Sequence, residues 1–201
     1  MNYRFVICLW IILPVTLAAC SRTAPSRFYT LNTLPGTHQE SIHKAGADRL
    51  TIGVGPVEVA AYLDRPQIVT RISANELKLD EFHRWAEPLK DSITRVLVDN
   101  LSNLLKEEPA AVLTSQGAMT VVDYQVVVEV IRFDGRIGDG VSLTAKWSII
   151  DVKGKKRMLD RNFQFEERIR GAGYDGLVAT QSLALENLSK QIASAIKEIR
   201  K

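Results

Sequence analysis

The sequence is poor in cysteine, with only Cys8 and Cys20 among 201 residues. Cys8 lies in an N-terminal apolar stretch that we expect to be removed, so the mature chain keeps one cysteine. A single cysteine excludes an intramolecular disulfide and leaves little basis for thiol chemistry. Histidine is also scarce, and no other histidine or cysteine stands at ligand spacing from His83, so we expect no metal site.

The chain also lacks a strong charge of either sign. Its formal net charge is +3, and loss of Arg4 with the N-terminal stretch leaves +2 for the mature part. Lysine and arginine are spread along the chain without a dominant basic run, which argues against nucleic-acid binding. The apolar fraction of 46% and the charged fraction of 24% are typical of one globular domain.

Motifs of catalysis are missing as well. The glycine-rich segment 134–140 stands between two predicted strands, which is typical of a hairpin turn and not of a phosphate-binding loop. The aspartates in and near this segment do not have the spacing of an EF-hand loop, and no Gly-x-Ser-x-Gly motif occurs. We therefore predict that the protein is not an enzyme and needs no cofactor.

The N-terminus contains the most specific motif of the chain. Arg4 precedes an apolar stretch from Phe5 to Leu17, and Leu17-Ala18-Ala19-Cys20 follows, which resembles a bacterial lipobox. The stretch is shorter than the roughly 20 residues that span a bilayer, and it ends in small residues as a cleaved signal does. We predict a signal peptide over residues 1–19, cleavage between Ala19 and Cys20, and lipidation of Cys20 with diacylglycerol and an N-acyl chain. An ordinary signal peptide or a short membrane anchor remains the alternative.

The residues after Cys20 predict the location of the mature protein. Ser21, in place of an aspartate, favours export to the outer membrane, where the domain would face the periplasm. Several acyl chains, each methylene contributing about 0.8 kcal/mol, make such anchoring effectively permanent. Residues 20–27 are predicted to be the lipidated cysteine and a flexible tether, which reaches about 25 Å when extended.

The remaining chain predicts an α+β domain. We expect an antiparallel sheet, made of a meander plus additional strands, with two amphipathic helices packed on one face. Alternating or continuous apolar patterns predict strands in 28–31, 49–60, 67–72, 76–79, 112–113, 121–133, 141–151 and 157–169. The pattern of 49–60 is broken at Gly55-Pro56, which indicates a bulge or bend.

Helical spacing of apolar residues is found in two segments. The first has Pro88 at its predicted first helical position and is ended by Pro109. Its apolar residues recur at helical spacing and form one stripe: Leu89, Ile93, Val96, Leu97, Leu101, Leu104 and Leu105. The second segment, from about Asp175 to Arg200, has a similar stripe, which predicts a helix that packs on the sheet.

Several of these segments together resemble a known family. Phe28-Tyr29-Thr30-Leu31, Ile52–Val57, Tyr62–Val69 and Trp85–Leu89, with the lipobox, are similar to the ABC-type transport auxiliary lipoproteins. The resemblance covers residues 28–201 and implies an outer-membrane lipoprotein that works with an MCE-domain protein and an integral inner-membrane protein in lipid transport. Because MCE proteins resemble stacked rings, we also expect a homo-oligomeric ring of this chain at the mouth of such a tube.

Asp64, Arg65 and Trp85 are the candidate partner-binding residues within these segments. The alternative is that Asp64-Arg65-Pro66 forms a turn and Trp85 covers the start of the first helix. Two further functions remain open: a periplasmic carrier with a pocket for an acyl chain, and an assembly factor for an outer-membrane complex that pairs through strand edges.

Overall fold

The computed structural model describes residues 24–34, 50–115 and 122–199. The predicted signal peptide, Ala19 and Cys20 lie outside these ranges. We number the elements within the ranges in chain order: β1 Arg27–Tyr29, β2 Leu50–Val59, β3 Gln67–Arg71, β4 Leu77–Trp85, α1 Leu89–Leu104, β5 Ala110–Thr114, β6 Tyr124–Gly135, β7 Gly140–Asp151, β8 Lys156–Arg168 and α2 Gly173–Ile199.

The strands form two mixed sheets. The five-stranded sheet has the order β5-β2-β6-β7-β8, and the three-stranded sheet has the order β1-β4-β3. The α+β class and the meander β6-β7-β8 are confirmed, but the sheets are not purely antiparallel: β2 is parallel to both β5 and β6, and β1 is parallel to β4. The connection from β2 to β5 contains β3, β4 and α1, which is long enough to return the chain in its original direction.

Both helices lie on one face of the five-stranded sheet, as predicted. Helix α1 contacts β2 and β5, α2 contacts β6, β7 and β8, and the helices contact each other. Alternate residues of β7 point beneath the helices and are buried, including Val141, Leu143 and Ala145, whereas Lys146 on the opposite face is exposed. The main core is therefore a layer between the sheet and the helix pair.

The helices form where the apolar stripes predict them. Helix α1 begins at Leu89 and Pro88 is its N-cap, whereas the sequence predicts Pro88 to be the first helical residue. The side of the helix that carries Leu89 and Leu101 is buried. Helix α2 buries Leu185, Leu188 and Ile192. Between the helices the Asn100 side-chain amide donates a 3.2 Å hydrogen bond to the Ser189 hydroxyl, so this polar pair in the seam is satisfied.

Two details of the strands bear on the site. The predicted break in β2 is confirmed, because its register against β6 shifts between Val54 and Val57, and Gly55 has a φ of 123°, a region that favours glycine. The strand predicted at 76–79 is longer in the structure, where β4 continues through segment 82–85 to Trp85. This segment is a strand because β1 pairs alongside it, a partner that the local pattern does not reveal.

Candidate docking surface around the N-terminal strand

The first described strand is held against the body of the domain by its neighbour β4. Arg27 pairs with His83 and Tyr29 pairs with Trp85, in parallel register. The Ala86 amide donates a 2.8 Å hydrogen bond to the Tyr29 carbonyl. A strand of three residues has few backbone bonds, so its position depends on the side chains that it places on the domain.

These side chains form an aromatic cluster of Tyr29, His83 and Tyr174. The Tyr29 hydroxyl lies 2.7 Å from Nδ1 of His83 in a hydrogen bond. The His83 ring stacks on Tyr174 of α2, with centroids 3.9 Å apart and planes at 15°. The aromatic cluster therefore joins β1, β4 and the start of α2, and it gives His83 a packing role.

Asp80 extends the cluster on the α2 side. It accepts hydrogen bonds from the Tyr174 hydroxyl at 3.1 Å and from the Phe82 amide at 3.0 Å, and Lys78 lies 3.3 Å away. Burial would raise the pKa of Asp80, but these donors outweigh it and lower the pKa. Burial, together with the bond to Asp80, raises the pKa of Tyr174 to about 12. Asp80 is therefore a carboxylate and Tyr174 a neutral donor at neutral pH.

The opposite face of this sheet exposes apolar side chains. Phe28 pairs with Arg84, and Phe82 stands two residues before Arg84, so both rings lie on the face away from the aromatic cluster. Phe28 is 65% exposed and Phe82 is 38% exposed. We define the exposed apolar patch as Phe28 and Phe82.

The predicted partner-binding residues occupy different environments. Asp64 is exposed in the turn between β2 and β3, and Arg65 is half-buried, with an Nε that the described residues do not hydrogen-bond. Trp85 is only 6% exposed and belongs to the core, and its amide donates a 2.7 Å hydrogen bond to the Pro66 carbonyl. Trp85 is therefore a core residue whose backbone amide holds the Pro66 end of this turn, and its part in partner binding stays a prediction.

A buried ionic network ties the same turn to the five-stranded sheet. Asp134, at the end of β6, is fully buried and accepts hydrogen bonds from Tyr62, Arg71 and Arg132 at 2.9 to 3.1 Å. Burial would raise the pKa of Asp134, but the bonds from Arg71, Tyr62 and Arg132 outweigh it and lower the pKa. Burial and the bond to Asp134 raise the pKa of Tyr62 to about 12.

Sequence reasoning misses the role of Asp134 and places it in a hairpin turn. The sequence does contain a signal for this role: Asp134 directly follows an apolar strand and stands close to Arg132. If the end of that strand is buried, its carboxylate needs cationic partners. Its partner Arg71 comes from β3, and only the folded chain brings the two together.

Metal ligands and membrane-spanning helices are both missing from the described ranges. In residues 24–34, 50–115 and 122–199, no three His, Cys, Asp or Glu side chains are grouped closely enough to hold a metal ion. Over the same ranges, no helix has the length and apolar character needed to cross a bilayer.

The fold defines the class of protein: an α+β domain in which two helices cover a five-stranded mixed sheet and a second, three-stranded sheet holds β1. The chain belongs to the family of ABC-type transport auxiliary lipoprotein components, which matches residues 29–193. The resemblance inferred from the sequence is therefore confirmed.

One curated protein and two solved structures are similar to this chain. The chain is 27% identical to the intermembrane transport lipoprotein PqiC of Escherichia coli over 183 residues, which is 91% of this chain and 93% of that protein. Its fold is similar to the crystal structure of protein XCC0632 from Xanthomonas campestris, with a TM-score of 0.65, 14% identity, and coverage of 87% of this chain and 100% of that chain. An uncharacterized protein of known crystal structure superposes with a TM-score of 0.70 at 22% identity, covering 86% of this chain and 99% of its own.

Proposed function

We propose that this protein is an outer-membrane lipoprotein of an intermembrane lipid-transport system, in which it docks a periplasm-spanning MCE-domain protein. It would be anchored through lipid on Cys20, face the periplasm and perform no catalysis. Membership of the transport auxiliary family and similarity to an intermembrane transport lipoprotein support this function. An integral inner-membrane protein would complete the system.

The observation that carries the proposal is the attachment of β1 to the body. Seven residues separate Cys20 from Phe28, and the aromatic cluster holds β1, the strand that contains Phe28. An acyl anchor would therefore keep Phe28, where the tether meets the domain, within about 25 Å of the bilayer. Confinement of this kind raises the local concentration of the domain, so each contact with a partner can be weak.

The turn between β2 and β3 is the proposed contact with the MCE-domain protein. Asp64 is exposed there, Arg65 lies beside it, and Trp85 and the Asp134 network hold the turn in place. A turn that is fixed from beneath loses little conformational freedom on binding. A ring of several copies would match the symmetry of a stacked-ring partner.

The packing of the core favours docking over lipid carriage. Leu185, Leu188 and Ile192 of α2 are fully buried and fill the layer between sheet and helices. A cleft of about 420 Å³ beside the β6–β7 turn is lined by charged residues, including Arg136, Glu166 and Arg168. An acyl chain prefers an apolar cavity, so such a cleft suits it poorly.

Assembly of an outer-membrane complex is a second candidate. Strand β8 is an edge of the five-stranded sheet over 13 residues, most of them exposed. An edge of this length offers backbone groups for pairing with another chain. Its many charged side chains, such as Arg157, Asp160 and Arg161, weaken this candidate because charges discourage edge pairing.

Purification of the lipidated protein from cell envelopes, followed by identification of co-purifying proteins, tests the proposal. We expect an MCE-domain protein, with recovery reduced by Asp64→Lys and unchanged by the matched Glu107→Lys, since Glu107 is exposed on the far loop after α1. Recovery of no MCE-domain protein would overturn the docking function. A protein that remained monomeric both in detergent and on the assembled tube would exclude the ring.

The anchor has its own test. Cys20→Ala should give a folded domain that is no longer found in the outer membrane, because the thiol that accepts diacylglycerol is absent. Cell fractionation measures the location, and circular dichroism checks the fold. A Cys20→Ala variant that stayed in the outer membrane would show that lipidation is not the anchor.

A further inference from the structure

The exposed apolar patch lies where the predicted anchor enters the domain. Phe28 is the second residue of β1 and the most exposed of the large hydrophobic residues in the described ranges. The tether that precedes it is too short to carry the domain more than about 25 Å from Cys20. Whatever covers Phe28 must therefore be found close to the bilayer.

The fold prevents the patch from turning inward. Tyr29 points to the opposite face, where it bonds His83 beside Tyr174, so the strand cannot rotate without breaking the aromatic cluster. Phe82 of β4 stands diagonally beside Phe28 on the same outer face. Two aromatic rings are thus held outward by contacts on the reverse side of the sheet.

The charge near the patch is cationic on the side of the anchor. Arg22 and Arg27 lie between Cys20 and Phe28 in the sequence, a stretch without aspartate or glutamate, and Arg27 pairs with His83 on the face of the aromatic cluster. Arg84 pairs directly beside Phe28. Glu81 directly precedes Phe82 and accepts hydrogen bonds from Gln67 at 3.2 and 3.3 Å, and Asp80 is paired with Lys78. Cations next to exposed aromatic rings suit an anionic lipid surface.

We propose that the exposed apolar patch rests on the membrane, with Phe28 and Phe82 inserted at the headgroup level of anionic phospholipids. This inference builds on the proposed lipid anchor and adds an orientation to it. The anchor holds the domain near the bilayer, and the patch sets which face is turned to it. The β2–β3 turn and the helices then keep a fixed orientation toward the periplasm.

Quenching by brominated lipids tests the orientation in the full, lipidated protein. Phe28→Trp and the matched control Ile137→Trp are each placed in vesicles of phosphatidylethanolamine and phosphatidylglycerol, with and without bromine on the acyl chains. Ile137 is 41% exposed in the turn between two strands of the five-stranded sheet, so it tests exposure outside the small sheet that carries Phe28 and Phe82. The parent protein corrects for Trp85 and Trp147. We expect brominated lipids to quench the fluorescence of the added tryptophan in Phe28→Trp and to leave that of Ile137→Trp unchanged.

Two further arms separate the apolar and charged contributions. Adding Phe82→Ser to Phe28→Trp should lower the membrane-facing population roughly tenfold, because one aromatic ring is lost from the contact. Adding Ile131→Ser, another exposed residue outside the patch, should leave the quenching unchanged. Replacing phosphatidylglycerol by a zwitterionic lipid should lower the membrane-facing population by on the order of fivefold for each arginine at the surface.

The outcomes distinguish the orientation from the anchor. A chain with lipid on Cys20 that floats with the vesicles but shows no quenching of Phe28→Trp would overturn the orientation and leave the anchor intact. Equal quenching of Phe28→Trp and Ile137→Trp would overturn it as well. Loss of self-association or of partner recovery in Phe28→Ser, without quenching, would assign the patch to a protein. A mature chain without lipid on Cys20 would overturn both.

Discussion

The two sheets of this protein are stabilised in different ways. The five-stranded sheet is covered by α1 and α2 and buries aliphatic side chains such as Val128, Leu143 and Ile192 completely. The three-stranded sheet also contributes Ile68, Val69 and Trp85 to the core. It adds polar contacts to the body, with the aromatic cluster on one side and the Asp134 network on the other. Its outer face keeps Phe28 and Phe82 exposed.

This difference indicates a division of roles. A layer of interlocking apolar side chains resists change, because every removed methylene leaves a cavity. A small sheet that combines a few core residues with directional bonds on its inner side positions its outer surface without burying it. The predicted anchor, the β2–β3 turn and the exposed apolar patch all belong to the small sheet or adjoin it, so the five-stranded sheet serves as their support.

The largest effect is expected in the core of the five-stranded sheet and its helices. Leu185→Ala should lower the free energy of unfolding by about 3–5 kcal/mol, because Leu185 is fully buried and the site cannot collapse around the cavity. Chemical denaturation measures the change. The matched Leu79→Ala, in the small sheet, should cost less than about 1 kcal/mol since Leu79 is 42% exposed. Equal losses for the two variants would contradict the comparison.

Asp134→Asn should have the next largest effect. It leaves Arg71 and Arg132 without their carboxylate, and we expect a loss of about 3 kcal/mol at neutral pH, because both arginines can still reach water. The pKa of Asp134 is lowered in the folded protein, so its contribution is complete above the ordinary value of 3.8 and fades as pH falls toward the folded pKa.

The difference between the parent protein and Asp134→Asn should therefore be constant from neutral pH to about pH 5 and narrow at lower pH. Urea titrations at a series of pH values measure it. A difference that stayed the same down to about pH 2 would show that the network stabilises through packing and not through charge.

A smaller effect is expected at the aromatic cluster. Tyr174→Phe keeps the stacking on His83 and removes the hydrogen bond to Asp80, which should cost about 1 kcal/mol. Because this bond lies beside β1, proteolysis after Arg27 should become faster. Tyr124→Phe, in the five-stranded sheet, serves as the control. Unchanged cleavage in Tyr174→Phe would mean that the cluster does not hold β1.

The smallest effect on stability is expected at Asp64. Asp64→Lys should change the free energy of unfolding by less than about 0.5 kcal/mol, since Asp64 is exposed in its turn. It should nevertheless reduce recovery of the MCE-domain partner in envelope purifications. A variant that is both destabilised and defective in recovery would indicate that Asp64 shapes the turn and does not contact the partner.

Much of the secondary structure follows from local patterns. Both helices, the β6-β7-β8 meander and the break at Gly55-Pro56 are predictable, because each produces a periodicity or a backbone signal within a short window. The end of β4 at Trp85 is not, because its partner β1 is more than 50 residues away in sequence. The parallel pairing of β2 is not predictable either, because side chains alternate in the same way in parallel and antiparallel strands.

The candidate site is only partly predictable. Asp64 and Arg65 lie in a turn as the sequence predicts, whereas Trp85 is a core residue and the exposed apolar patch has no counterpart in the sequence pattern. The sequence around an aromatic residue on a short strand does not indicate which face of the strand will be buried. Phe28 and Tyr29 are neighbours in sequence, yet only contact with His83 and Tyr174 decides that Tyr29 points inward and Phe28 outward.

The sequence by itself determined the lipobox motif around Cys20, the elements with clear periodicity and the family resemblance, because each is a property of consecutive residues. Tertiary structure alone decided the parallel pairing of β2, the burial of Trp85, the partners of Asp134 and the outward direction of Phe28. These depend on groups distant in the chain, whose meeting is set by the packing of both sheets against the helices.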